Sequence, residues 1–135
     1  MVSMNKSEKF NELTIYTLSL RDEAFIHQHV VDAYTAQNAD ASTKPMRIFF
    51  ALAGLYLLIE KNYTGRQVQL AHQKMSSQTG NLATINLPAT RGEVSIADVL
   101  NEQEGAKRIL MIKKWCASVW NSYSSEHEKN CNGNG

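Results

Sequence analysis

No stretch of this sequence forms a phosphate-binding loop, a zinc-ribbon spacing or a nucleophile elbow, so no reaction can be read from a local motif. Cysteine is scarce: Cys116 and Cys131 are the only two, too few for a CxxC pair or a four-thiolate metal site. Cys116 lies in a helical pattern and Cys131 in a polar tail, and the simplest reading is a reduced, cytoplasmic protein. Neither charge is in excess, since 14 Lys and Arg against 13 Asp and Glu leave a net charge of +1. No basic block interleaved with aromatics is present to track a phosphate backbone, which argues against nucleic acid as a partner. The opening MVSMNKSEKF passes into NELT without the apolar core or small-residue cleavage site of a signal peptide. The longest apolar run, Ile48 to Ile59, stops at Glu60 and Lys61, well short of the roughly 20 residues a membrane span needs, so no membrane is expected as a partner. Internal repeats are absent, and only NLATINLP hints at an extended piece.

What remains reads as helix. A chain of 135 residues that is 43% hydrophobic suits one domain with its own core. The expected fold is all-α, a single-domain bundle of about five helices with a long loop before the last helices. Residues 1–7 read as a flexible N-terminus, 8–125 as the helical domain and 126–135 as a disordered polar tail. Helix-start signals recur along it. Asp22 can cap the helix that contains AFIHQHVVDAYTAQ, and Thr43 can cap the next, with Pro45 in its first turn. Thr64 with Gln67, and Ser95 with Asp98, match the capping box. An earlier helix is expected over 8–20 and the last from about Gln103 to Ser125. Ile48–Ile59 reads as the central buried helix, with Gly54 admitting a close neighbour. In the last helix Ile109, Ile112, Cys116, Val119 and Tyr123 make a core stripe flanked by Trp115 and Trp120, both expected to be partly buried. Cys116 reads as a small core residue, not a nucleophile. Between Gln78 and Val94 the chain reads as a crossover or a lid, and Arg91 is its candidate anion holder.

The polar residues near apolar faces are the functional candidates. At about 100° per residue, Ile26, Val30, Ala33 and Tyr34 form the apolar arc of the second helix, with His27 on one shoulder and His29 on the other. The two histidines cannot chelate together, being two apart. His29 and Asp32, three apart, can touch, and a carboxylate that orients an imidazole serves metal ligation, base catalysis and plain structural satisfaction alike. Gln37 falls on the apolar side, where its amide needs partners. Glu60 is expected to project toward the core, where a carboxylate must be paired or protonated, and His72 borders the Val68, Ala71 and Met75 stripe. Convergence of Glu60, His72 and His27 or His29 would make a metal or acid–base site between helices, with His29, Asp32 and His72 as metal candidates. Satisfaction of each group by a helix terminus or by Arg66 ranks above that, and a divalent metal is not the favoured cofactor.

The blocks FIHQHVVDAYTAQ, TKPMRIFFALAGLYLLIEKNYTGRQVQLAHQKM, LPATRGEVSIADVL and WCASVWNSY resemble, in order and spacing, a family of small bacterial helical proteins of unknown function. The resemblance runs from about Tyr16 to Tyr123. It implies a helical fold and a role for His27, His29, Asp32, Gln37, Lys44, Arg66 and His72, and it supplies no reaction, substrate or cofactor. Some members of that family carry an N-terminal cysteine pair that this chain lacks, so a metal role tied to that pair does not transfer.

Two functional expectations follow. The first is binding of a small ligand or metal in a His- and carboxylate-lined pocket between helices, with His27, His29, Asp32, Gln37, Lys44, Glu60, Arg66 and His72 as candidate ligand residues. The second is a non-catalytic module for self-association or partner docking, in which the buried polar groups only specify packing.

Overall fold

Short-range hydrogen bonds set most of the helix boundaries in the computed structural model, which describes residues 4–75 and 86–133, with side chains described as far as Ser124. Asn5 accepts the Glu8 N–H at 2.8 Å and starts α1 (Lys6–Ser19). Asp22 does not begin the second helix. Its Oδ2 accepts the Ile26 N–H at 3.0 Å and closes a turn in which Phe25 adopts a φ of 56°. A left-handed residue cannot continue a right-handed helix, so α2 (His27–Asn38) starts after it. Lys44, not Thr43, caps α3 (Pro45–Lys61), with Pro45 in the first turn as expected. Asn62, at a φ of 56°, ends α3 and lets the Tyr63 N–H reach back to the Leu57 carbonyl at 3.0 Å.

The expected capping boxes form. Gln67 N–H donates to Thr64 Oγ1 at 3.1 Å and Thr64 N–H to Gln67 Oε1 at 2.8 Å, starting α4 (Gly65–Met75). Asp98 Oδ2 accepts the Ser95 N–H at 2.8 Å and starts the short α5 (Ile96–Asn101). The last helix, α6 (Ala106–Gly133), begins three residues later than expected and carries helical backbone through the stretch that reads as a tail. The described residues thus contain six helices and no strand. The possible extended piece NLATINLP lies largely outside them.

α2 occupies the middle of the bundle, against α1, α3, α4 and α6. The longer and more apolar α3 is the helix expected there, yet it leaves Tyr56 exposed and buries a single stripe, Ile48, Ala51, Gly54, Leu55 and Leu58. The small side chains Ala33 and Ala36 let α2 be surrounded. From α6, Ile112, Trp115, Cys116 and Val119 are wholly buried in the same core. Trp115 is therefore interior, whereas Trp120 stays at the margin with its ring 5.9 Å from that of Tyr56. Burial of such large side chains stabilises the fold by about 1.5–3 kcal/mol each.

Two glycines record close approaches. At Gly54 a Cβ would collide with Asp32 Oδ2 and stand 2.7 Å from its Cγ, so the neighbour that Gly54 admits is a carboxyl group from α2. At Gly65 a Cβ would collide with the Phe25 carbonyl oxygen, and the adjacent Arg66 N–H donates to the Ala24 carbonyl at 2.8 Å. The first turn of α4 thus rests on the backbone that links α1 to α2. No helix among the described residues is long and apolar enough to cross a membrane.

Candidate functional site

That backbone contact helps frame a cleft of about 540 Å³ at one end of the bundle. Its walls come from the link between α1 and α2, the start of α2, the turn between α3 and α4, and α6. Most of the wall is apolar, including Ile26, Leu58 and Ile109, and it carries four ionisable side chains, Asp22, His29, Tyr63 and Lys113.

His29 is 3% exposed, and its Nδ1 is buried without a hydrogen-bond partner. Burial, then the nearby Lys113 ammonium, push its pKa down to about 4, against an opposing pull from Asp22. The ring is therefore a neutral imidazole near pH 7, able to donate or accept one hydrogen bond at each nitrogen according to tautomer. Its backbone carbonyl is engaged by the thiol of Cys116 at 3.6 Å, which ties the first turn of α2 to α6. Lys113 is exposed and has no ion-pair partner among the described residues. Asp22 commits Oδ2 to the Ile26 N–H.

Asp32 does not meet His29. It is 3% exposed, takes a bond from Gln28 Nε2 at 3.2 Å on Oδ1, and buries Oδ2 without a partner above Gly54. Burial raises its pKa well above the usual carboxylate range, with the Gln28 bond opposing. Asp32 lies outside the cleft lining. Its neighbour Cys116 is fully buried, and that burial together with Asp32 raises its pKa, which suits a core thiol and not a nucleophile.

The other candidates are dispersed. His27 faces α1, where its Nδ1 is 2.9 Å from Thr17 Oγ1, and burial lowers its pKa. His72, on α4, stands edge-on to Phe50 with ring centroids 5.2 Å apart and has a buried, unpartnered Nε2. Burial lowers its pKa, and a hydrogen bond with the Phe50 backbone opposes that shift. Glu60 is exposed instead of core-facing, and its Oε1 accepts Trp120 Nε1–H at 3.0 Å. Lys44 is an exposed helix cap. Arg66 is exposed and donates to Gln69 Oε1 at 2.8 Å.

Gln37 is fully engaged in structure. Its Nε2 donates to the Val94 and Arg91 carbonyls at 2.8 and 3.2 Å, and its Oε1 accepts Trp115 Nε1–H at 2.8 Å. Arg91 is likewise committed and is not free for an anion. It donates to the carbonyls of Pro88 at 3.2 Å, Gln37 at 3.3 Å and Ala39, closing the C-terminal end of α2. The lid reading concerns a segment that lies in large part outside the described residues.

Among the described residues no three His, Cys, Asp or Glu side chains are placed to hold a metal ion. The convergence of Glu60, His72 and His27 or His29 fails because these groups point to different neighbours: Trp120, Phe50, Thr17 and the cleft. Lys113 and Asp22 join the site without having been candidates on sequence grounds. Lys113 follows Ile109 by four positions, which sets it on the edge of the core stripe, and that spacing is the available signal. Asp22 reads only as a cap.

Residues 7–124 match DUF5946, a family of unknown function. No curated protein and no solved structure matches the chain.

Proposed function

We propose, for a chain that belongs to DUF5946 over residues 7–124, that it binds a small molecule in the cleft at the end of the bundle. The observation that carries this reading is the setting of His29, a neutral ring with an unpartnered nitrogen in the wall of a largely apolar cleft of about 540 Å³. An apolar concavity of a few hundred Å³ with a few polar groups is the usual form of a small-molecule site. Of the candidate residues, His29 alone contributes to this lining, joined by Lys113 and Asp22. His27, Asp32, Gln37, Lys44, Glu60, Arg66 and His72 are assigned to packing, capping or the surface. The reading invokes no metal and assigns no reaction. A bacterial, cytoplasmic setting belongs to the same proposal; the buried free thiol of Cys116 supports the cytoplasmic part.

The test is a fragment screen followed by heteronuclear NMR on the full chain. Binders are expected to shift signals of His29, Leu58, Ile109 and Lys113 together, and to lose affinity in Ile109→Trp, which fills the cleft. Binders that shift only residues elsewhere would overturn the assignment.

A second reading, docking of a partner or of another copy, draws support from Ile15 and Leu18, one turn apart on α1 and 71% and 48% exposed. Sedimentation at high concentration tests self-association. A monomer whose behaviour is unaltered by Ile15→Lys would remove that form of it.

A further inference from the structure

Resting on the cleft reading above, the charged groups around the cleft narrow the class of ligand. Lys113 enters from α6 and Asp22 from the link between α1 and α2, and both line the same concavity. They form no ion pair with each other. Asp22 uses Oδ2 for the Ile26 N–H and leaves Oδ1 with no hydrogen bond among the described residues. Lys113 has three donors and no carboxylate partner among those residues. His29 lies within the influence of both, since the two charges act on it in opposite directions. Ile26, Leu58 and Ile109 supply apolar surface beside the charged groups.

A ligand carrying one charge would satisfy one of these groups and lie against the other. An anion would meet Lys113 with Asp22 beside it, and a cation would meet Asp22 with Lys113 beside it. An uncharged apolar ligand would leave both groups to water and gain nothing from either. A molecule with a carboxylate and an ammonium on one apolar body answers both charges and the apolar wall.

We propose that the cleft bounded by Asp22, His29 and Lys113 takes a small zwitterion with an apolar side chain, of the α-amino acid type. Its carboxylate lies toward Lys113, its ammonium toward the free oxygen of Asp22, and its side chain against Leu58 and Ile109.

The experiment titrates the full chain, followed by heteronuclear NMR, with leucine and phenylalanine. Each is paired with the analogue lacking the ammonium (4-methylpentanoate, 3-phenylpropanoate) and the analogue lacking the carboxylate (isopentylamine, phenethylamine). At least one amino acid is expected to shift the His29, Ile109 and Lys113 signals, with both of its analogues weaker by about tenfold or more, the scale of one lost charge-assisted hydrogen bond. Lys113→Met and Asp22→Asn are expected to weaken the amino acid by a similar factor, and the asparagine retains an acceptor for the Ile26 N–H, so the turn is kept. Analogues that bind as well as the amino acids would overturn the zwitterion and leave the small-molecule reading standing. Fragments from a general screen that shift the cleft signals, when neither amino acid does, would have the same effect. If no small molecule of any kind shifts them, both readings fall together.

Discussion

Asp32 and Gly54 are one structural unit. The carboxyl group occupies the space a side chain at position 54 would need, with Val68 closing the remaining side. Gly54→Ala would gain up to about 1 kcal/mol of helix propensity but would force the carboxyl out of place, and such overpacking costs about 1–3 kcal/mol. The expected outcome in urea unfolding is a net loss of stability, recovered in part by adding Asp32→Ala. No loss in the single variant would show that the carboxyl group shifts freely. The same burial gives stability a pH dependence. Asp32 has a folded pKa raised above the unfolded value, so above about pH 4, where the unfolded carboxyl ionises, the native state holds the extra proton and stability falls as pH rises. Asp32→Asn should remove that fall, and its advantage over the native chain should widen from pH 4 to pH 8. Parallel curves would place an ionised carboxylate in the core. His29 acts in the opposite sense. Its folded value is about 4 against 6.5, so the unfolded state holds the extra proton between those values. The stabilisation from His29 is complete above about pH 6.5 and is lost as pH falls toward 4. At about 1.4 kcal/mol per pH unit for one proton, this amounts to about 3 kcal/mol, which His29→Gln should abolish in stability measured across that window.

At the scale of elements, the helices whose limits depend on neighbours in sequence are legible. Pro45 marks a first turn, and the Thr64–Gln67 and Ser95–Asp98 pairs close their capping boxes over three residues. The start of α2 is not legible, because Asp22 closes a turn around a left-handed Phe25 and a left-handed phenylalanine has no sequence signature. Pairings across the chain are also invisible. Gln37 visibly needs partners, yet the carbonyls of Arg91 and Val94 and the indole of Trp115 lie 54 to 78 residues away. Glu60 is misplaced by the sequence pattern because α3 is apolar almost all round, so that pattern does not say which face meets the core. Gln37 holds α2, α6 and the segment before α5 together. Gln37→Ala should leave the Trp115 N–H unpaired and destabilise by about 2–3 kcal/mol, from the loss of three hydrogen bonds and the burial of an unsatisfied donor. Thermal unfolding followed by circular dichroism checks this, and a midpoint equal to that of the native chain would mean that water replaces the amide.

For the molecule as a whole, the placement of α2 decides how the core opens. Cys116 is wholly buried between α2 and α6, so its thiol can be reached only when those helices part. In a Cys131→Ser background, an aromatic disulfide reagent should label Cys116 at the rate of global unfolding and no faster, under conditions in which labelling outpaces reclosing. Faster labelling would reveal a local opening of α6. The site follows the sequence only in outline: His29 stands out there, but Lys113 and Asp22 acquire their place from folding, which brings α6 beside the link between α1 and α2. The contact of Gly65 with the Phe25 carbonyl, locked by the Arg66 N–H on the Ala24 carbonyl, gives that arrangement a particular freedom. Two stretches of main chain hold the frame of the cleft at this corner, so the side chains of Ile109 and Lys113 can be exchanged without moving it, whereas the Asp22 carboxylate closes the turn that forms part of the wall. The corner is thus a fixed socket with interchangeable furniture: substitution at positions 109 and 113 alters the shape and charge of the concavity and leaves its main-chain frame in place.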